Sequence, residues 1–162
     1  MAYPNGARGP EPGSRNPIRF EDLPDLVGQS FEGAPLVVTT DERDTFERLT
    51  HIDDAYPQGD APEFPEDIVE GFHTLSMIDA MLTLARPFDP DTTWGLNYGL
   101  DRVRFIEPVK PGVTLNSTFE VGEVKEKGEG RLVLFHCALT AEGAEGPALV
   151  ADWWTYVVPR KV

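Results

Sequence analysis

The stretch GFHTLSMIDAMLTLA, Gly71 to Ala85, constrains the fold more than any other part of this chain. Phe72, Leu75, Ile78, Leu82 and Ala85 recur at the spacing of one helical face, while Met77, Met81 and Leu84 make the other faces apolar too. A helix that is apolar on nearly every side is expected to be surrounded by protein rather than to lie on a surface. Pro87 ends it, because a proline ring cannot follow a continuing helical turn. What comes next reads as strands. WGLNYGLDRVRFIEPV alternates around Val103 and Phe105, and VTLNSTFEVGEVKEK alternates through Leu115, Phe119 and Val121. GEG makes a turn, and RLVLFHCALTAE and ALVADWWTYVVP complete the set.

The elements before the long helix are short. A strand is expected near residues 35–38, followed by a helix in TTDERDTFERL. Thr39 with Glu42 makes a capping-box pattern, Asp41 and Glu42 suit the positive end of the helix dipole, and Phe46 and Leu49 mark the expected buried face. THIDDAYPQGDAPEFPED then holds three prolines and cannot form a long regular element. A strand, a helix, a loop, a long buried helix and about four strands predict an α+β layer, an antiparallel β-sheet wrapped around a central helix. Residues 1–18, rich in Pro, Gly and Arg, have almost nothing to bury and are expected to be a mobile tail. That leaves 19–162 as a single domain, in keeping with a chain of 162 residues.

Charge narrows the partners. The chain has 28 acidic and 14 basic residues, a formal net charge of −14, which repels phosphate backbones and anionic lipid headgroups. Neither nucleic acid nor a membrane is an expected partner. The single cysteine, Cys137, sits in the apolar run LVLFHCAL, so an internal disulfide is impossible and a buried structural thiol in a reducing compartment is expected. The N-terminal stretch has no apolar signal core, and no segment reaches the roughly 18 apolar residues of a membrane span. The expectation is a soluble, cytoplasmic protein.

Two longer motifs carry a resemblance. FPEDIVEGFHTLSMI resembles the Phe-Gly-Gly-x-Ile-Ala-His-Gly-Phe-x-Thr-Leu-Ser pattern of the MaoC-like, NodN-like branch of (R)-specific enoyl-thioester hydratases. LNYGLDRVRFIEPVKPGVTL is similar to that family's Asn-Tyr-Gly-x-x-x-Val-Arg-Phe-x-x-Pro-Val-x-x-Gly strand pair, and ALVADWWTYVV resembles its closing strand. The resemblance covers most of residues 25–158 and implies the hot-dog fold. It also implies addition of water to a 2-enoyl thioester, or the reverse dehydration, on an acyl-CoA or an acyl-carrier-protein-bound chain with no cofactor. In such a site the backbone N–H of the glycine opening the central helix donates to the thioester carbonyl. Gly71 is the matching residue, and a helix N-terminus is physically suited to that role.

The chain departs from the pattern where water would be activated. The family carries Asp-x-Asn-Pro-x-His, an acid–base pair, whereas this chain has LTHIDDAYPQGDAPEF. Aligning Asp54 with the Asp puts Tyr56 at the Asn and Gly59 at the His; an ungapped alignment puts Ile52 at the Asp and Pro57 at the His. The family's His before the helix glycine is Glu70 here. Three readings follow. Catalysis is rebuilt from local groups, with Asp54 the first base, Asp53 and His51 behind it, and His73 on the helix's first turn, since a histidine beside a carboxylate is a competent base near neutral pH. Or the chain is the non-catalytic half of a heterodimer. Or the scaffold performs another reaction, such as isomerisation or cyclisation of a polyketide intermediate, with thioester hydrolysis a further option.

By motif position, Ile68, Phe72 and Tyr98 are pocket walls, with Tyr56 and Phe64 also on the substrate side. The plainer roles are that His51 is solvated, that His73 points into the sheet, and that Asp79 is a buried or interface group with a partner. Ser76 has no visible activating triad. His136 and Cys137, adjacent on a strand, point to opposite faces, as do Trp153 and Trp154. The chain has no Gly-rich phosphate loop, paired cysteine ligands or His-x-x-x-His helix, so no metal is expected. The resemblance implies a homodimer, or a heterodimer with another hot-dog subunit, its site built across the interface.

Overall fold

The computed structural model describes residues 17–55, 67–85 and 87–160. A 3-10 turn at Phe20–Leu26 leads into β1 (Ser30–Glu32), β2 (Leu36–Val37), α1 (Thr40–Leu49) and α2 (Ile52–Ala55). Then come α3 (Gly71–Ala85), β3 (Thr93–Phe105), β4 (Thr114–Lys127), β5 (Gly130–Ala141) and β6 (Leu149–Pro159). The sheet order is β1-β4-β5-β6-β3, with β2 also on β4, and every pairing is antiparallel.

Period-two alternation builds the sheet's inner face. Phe119, Cys137 and Ala151 face one another across β4, β5 and β6, and the next row holds Glu120, His136 and Asp152 on the opposite face. Leu115, Phe119, Val121, Val133, Phe135, Leu139 and Leu149 are wholly buried with Met81 of α3, and Leu75, Ile78 and Leu82 join the same cluster. This curled sheet closing on one helix is the hot-dog arrangement that the resemblance implies. Cys137 lies in that core, and burial pushes its thiol pKa up to about 12. Just after β1 the chain runs so close to β4 that a Cβ on Gly33 would stand 2.1 Å from Ser117 Oγ and 2.8 Å from Phe119. The two tryptophans part as expected. Trp153 is buried beside Phe135 and donates to Asn97 Oδ1 at 2.9 Å, while Trp154 lies under Lys125 and donates to Asp101.

The capping box on α1 is formed. Thr39 Oγ1 accepts from the Glu42 N–H at 3.2 Å, and Glu42 Oε2 accepts from the Thr39 N–H at 2.8 Å. Four expectations need correction. Leu49 is 73% exposed and Phe46 only half-buried, because α1 lies at the periphery and packs on α2 rather than on the sheet. Ile18, assigned to the tail, is tied in: its N–H donates to Pro87 O at 2.9 Å and its carbonyl accepts from Asp89 N–H at 2.8 Å. Residues 1–16 lie outside the described residues. The long helix is not enclosed on all sides, since Phe72, Ser76, Asp79 and Thr83, spaced along one stripe, are exposed. Finally, alternation around Val103 and Phe105 does not give β3 a buried face. Among the described residues β3 pairs only with β6, and Trp94, Leu96, Tyr98, Leu100 and Phe105 along it are all exposed.

Candidate functional site at the start of the central helix

Three tethers hold the N-terminus of α3 in place. Val69 N–H donates to Val109 O at 2.7 Å, fixing the entering segment to the chain before β4. Asp67, whose backbone is left-handed at φ 73°, accepts from Arg43 of α1 at 2.8 Å. Aspartate tolerates that region better than most side chains. Third, Glu70 is the cap: its Oε2 accepts from His73 N–H at 3.0 Å, and its carbonyl accepts from Thr74 N–H at 3.0 Å, the first helical bond.

The cap satisfies one of the donors that open the helix. Among the described residues, the N–H groups of Gly71 and Phe72 have no hydrogen-bond partner. They lie at the positive end of a 15-residue helix. A Cβ on Gly71 would stand 3.2 Å from the ring of Phe105, so glycine lets that ring close over the helix start. Phe72 lies edge-on to Phe105 with ring centroids 6.0 Å apart, and both are exposed, as is Ile106. Ile68 is half-buried. The result is an apolar rim beside two free donors, an arrangement that can receive a carbonyl oxygen carrying an acyl chain.

His73 points elsewhere than expected. It is buried, with 6% exposure, and stacks on Phe46 of α1 rather than on the sheet. Among the described residues its buried Nδ1 has no hydrogen-bond partner. Burial lowers its pKa, with Glu42 and Glu70 pulling the other way, so the imidazole is neutral at neutral pH. His51 and Asp54 do meet. His51 takes left-handed backbone, φ 60°, between α1 and α2, and its Nδ1 lies 3.2 Å from Asp54 Oδ2. Their side chains are 80% and 79% exposed, the solvated arrangement. Asp53 lies between them in α2. Tyr56 and Phe64 lie outside the described residues.

Tyr98 is not brought to Gly71 within the chain. It lies seven residues along β3 from Phe105, about 20 Å at strand rise. There its hydroxyl accepts from Lys127 Nζ at 2.5 Å, with the ammonium 4.1 Å over its ring. Asp79 is exposed but partnered: it accepts from Asn97 Nδ2 at 3.1 Å and from Thr83 Oγ1 at 3.3 Å, and Asn97 in turn accepts from Trp153. Ser76 donates to His73 O at 2.7 Å. Both side chains are committed to holding α3. Among the described residues no group of three His, Cys, Asp or Glu could hold a metal ion, and no helix is long and apolar enough to cross a membrane.

A second concavity, of about 590 Å³, lies on the opposite face of the sheet over His136, Asp152, Arg102 and Arg104. Asp152 Oδ1 is 2.7 Å from His136 Nδ1, and Arg102 donates to Oδ2. Burial alone would raise the Asp152 pKa, but these hydrogen bonds outweigh it and the net shift is downward. The β4 bulge at Gly122 makes room for His136, since a Cβ there would stand 2.3 Å from Nε2. Neither this triad nor the Glu70 cap is among the features expected from the sequence. Glutamate is not among the residues favoured at a helix N-cap, so the Glu70 cap gave no clear local signal; the triad depends on bulges that alternation alone does not reveal.

Residues 28–141 match the MaoC like domain family, a span that runs from the turn before β1 through β5 and contains α1, α2 and the start of α3. The chain belongs to this family. This MaoC-like chain is 36% identical over 148 residues to Nodulation protein N of Rhizobium leguminosarum bv. viciae, covering 86% of this chain and 91% of that protein. Among solved structures it superposes on a monoamine oxidase regulatory protein from Archaeoglobus fulgius with a TM-score of 0.68 and 25% identity, covering 91% of this chain and 98% of that one. It also matches the R-hydratase PhaJ1 of Pseudomonas aeruginosa with a TM-score of 0.61 and 20% identity, over 90% of this chain and 92% of that one. At that identity the second likeness speaks for the fold.

Proposed function

We propose that this MaoC-like chain interconverts a 2-enoyl thioester and its 3-hydroxyacyl thioester, carried on CoA or an acyl carrier protein, without a cofactor. The observation that carries the reading is the pair of N–H groups, Gly71 and Phe72, that have no partner among the described residues, at the start of α3 beside an exposed aromatic rim. As water adds to the β-carbon, charge develops on the thioester oxygen, and fixed donors at a helix N-terminus stabilise it where it forms. Phe72 and Phe105, with Ile68 behind them, flank the acyl chain. Asp54, paired with His51, and Asp53 beside it are the carboxylates that the sequence singles out for the proton.

The acting unit in this reading is a dimer. Among the described residues, neither the open stripe of α3 nor the exposed apolar residues of the β3 edge are covered, and an edge of this kind is stable in water when another strand covers it. A second copy of this cytoplasmic single-domain chain is the simplest cover, and another hot-dog subunit is the alternative. The test is ultraviolet loss of crotonyl-CoA on adding the purified protein, with His51→Ala, Asp53→Asn and Asp54→Asn alongside. Turnover by the chain alone supports the reading. A folded dimer that leaves the enoyl thioester untouched, yet turns it over once a partner subunit is added, would instead make this chain the non-catalytic half.

A further inference from the structure

We propose that Glu70, the cap of α3, is the catalytic acid–base group of this site. The inference rests on the thioester reading above and names the proton carrier that the reading needs. Three features of Glu70 distinguish it from the other carboxylates. Its Oε2 is anchored 3.0 Å from the His73 N–H, and helical geometry puts that nitrogen about 4–5 Å from the nitrogen of Gly71. A carbonyl oxygen held by Gly71 therefore has its α- and β-carbons within reach of this carboxylate. Its other oxygen, Oε1, has no hydrogen-bond partner among the described residues. And its backbone cannot swing away, because Thr74 N–H and Thr74 Oγ1 both donate to the Glu70 carbonyl. The residue is half-buried, whereas the Asp54 side chain is 79% exposed.

One carboxylate is enough for the reaction to balance. Oε1 takes a proton from water as the water oxygen bonds to the β-carbon. The double-bond electrons move toward the carbonyl, giving an enolate whose oxygen sits on the Gly71 N–H. The same proton then passes from Oε1 to the α-carbon, the enolate collapses, and the net change is addition of one water. Dehydration is the reverse: Glu70 takes the α-proton and returns it to the departing hydroxide. The cap holds through both directions, because Oε2 keeps accepting from His73 N–H while Oε1 exchanges the proton.

The test compares Glu70→Gln, Glu70→Ala and Asp54→Asn with the wild type, using crotonyl-CoA hydration and, separately, deuterium uptake at the α-carbon of 3-hydroxybutyryl-CoA and butyryl-CoA in D2O. An amide oxygen can still cap His73, so Glu70→Gln should melt near the wild type, with KM within about threefold and kcat down by about 10²- to 10⁴-fold, the usual contribution of a positioned acid–base group. Glu70→Ala should lose the cap as well and melt lower. Asp54→Asn tests the competing carboxylate that the sequence singles out. Retained kcat in Glu70→Gln, or the loss falling on Asp54→Asn, would overturn the assignment. The exchange arm separates the two claims. Glu70-dependent deuterium uptake without hydration keeps Glu70 and removes the hydratase reading, whereas absence of both reactions in the wild type removes both.

Discussion

The imidazole of His73 lies flat on the ring of Phe46, with centroids 4.4 Å apart and planes 9° from parallel. This contact joins the first turn of the central helix to α1 and dehydrates the histidine. Burial lowers the His73 pKa, so the unfolded chain binds that proton more readily than the folded one. The resulting stability is complete above the unfolded value of about 6.5 and is lost as the pH falls through the lower folded value. The melting temperature should therefore drop between pH 7.5 and 5.5, and His73→Phe should flatten that slope. An unchanged slope in the variant would place the acid sensitivity elsewhere. Phe46→Ala should cost about 1–2 kcal/mol, less than a fully buried ring, in a denaturant melt.

Cys137, packed in the sheet with a thiol pKa pushed to about 12, should be inert while the chain is folded. Ellman's reagent at pH 8 is expected to label it only after denaturant is added. Stoichiometric labelling of the native protein would mean that the inner sheet face opens readily.

Gly122 and His136 should be energetically coupled. Gly122→Ala places a methyl 2.3 Å from the imidazole and is expected to cost about 1–3 kcal/mol, the usual range for overpacking. In the His136→Ala background the same substitution should cost much less, a coupling that a double-mutant cycle reads directly. Additive costs would show that the bulge is indifferent to the ring lying over it.

On the β3 edge, Leu100→Arg is expected to turn a dimer into a monomer by light scattering, with helix and sheet content unchanged. A charge on an edge strand opposes edge-to-edge association. A dimer that survives Leu100→Arg and Leu96→Arg together would place the interface elsewhere.

What could be read in advance was what depends on near neighbours in sequence. Thr39 and Glu42, three residues apart, specify their reciprocal cap locally; Cys137 and His136 separate because a strand alternates; His51 and Asp54 meet within one turn. What could not be read depends on partners distant in sequence. Leu49 looks like a core residue on a helical wheel, yet α1 lies where there is no core for it. Leu96, Tyr98 and Leu100 look the same in sequence whether a strand is buried in its own fold or faces a partner. Tyr98 is a pocket wall by its motif, yet within one chain strand length carries it away from Gly71, to Lys127. The Glu70 cap, made by a residue type not favoured at N-caps, and its second oxygen, without a partner among the described residues, both needed the fold.

The measurement closest to the central claim is crotonyl-CoA hydration by Gly71→Pro against Gly71→Ala. Proline is tolerated at the first position of a helix but has no N–H to donate, whereas alanine keeps the N–H and only crowds Phe105. If the start of α3 holds the thioester oxygen, Gly71→Pro should lose about 10²- to 10³-fold in kcat, as when one oxyanion donor is removed, and Gly71→Ala should lose much less. Equal rates in a folded Gly71→Pro and Gly71→Ala would contradict the account.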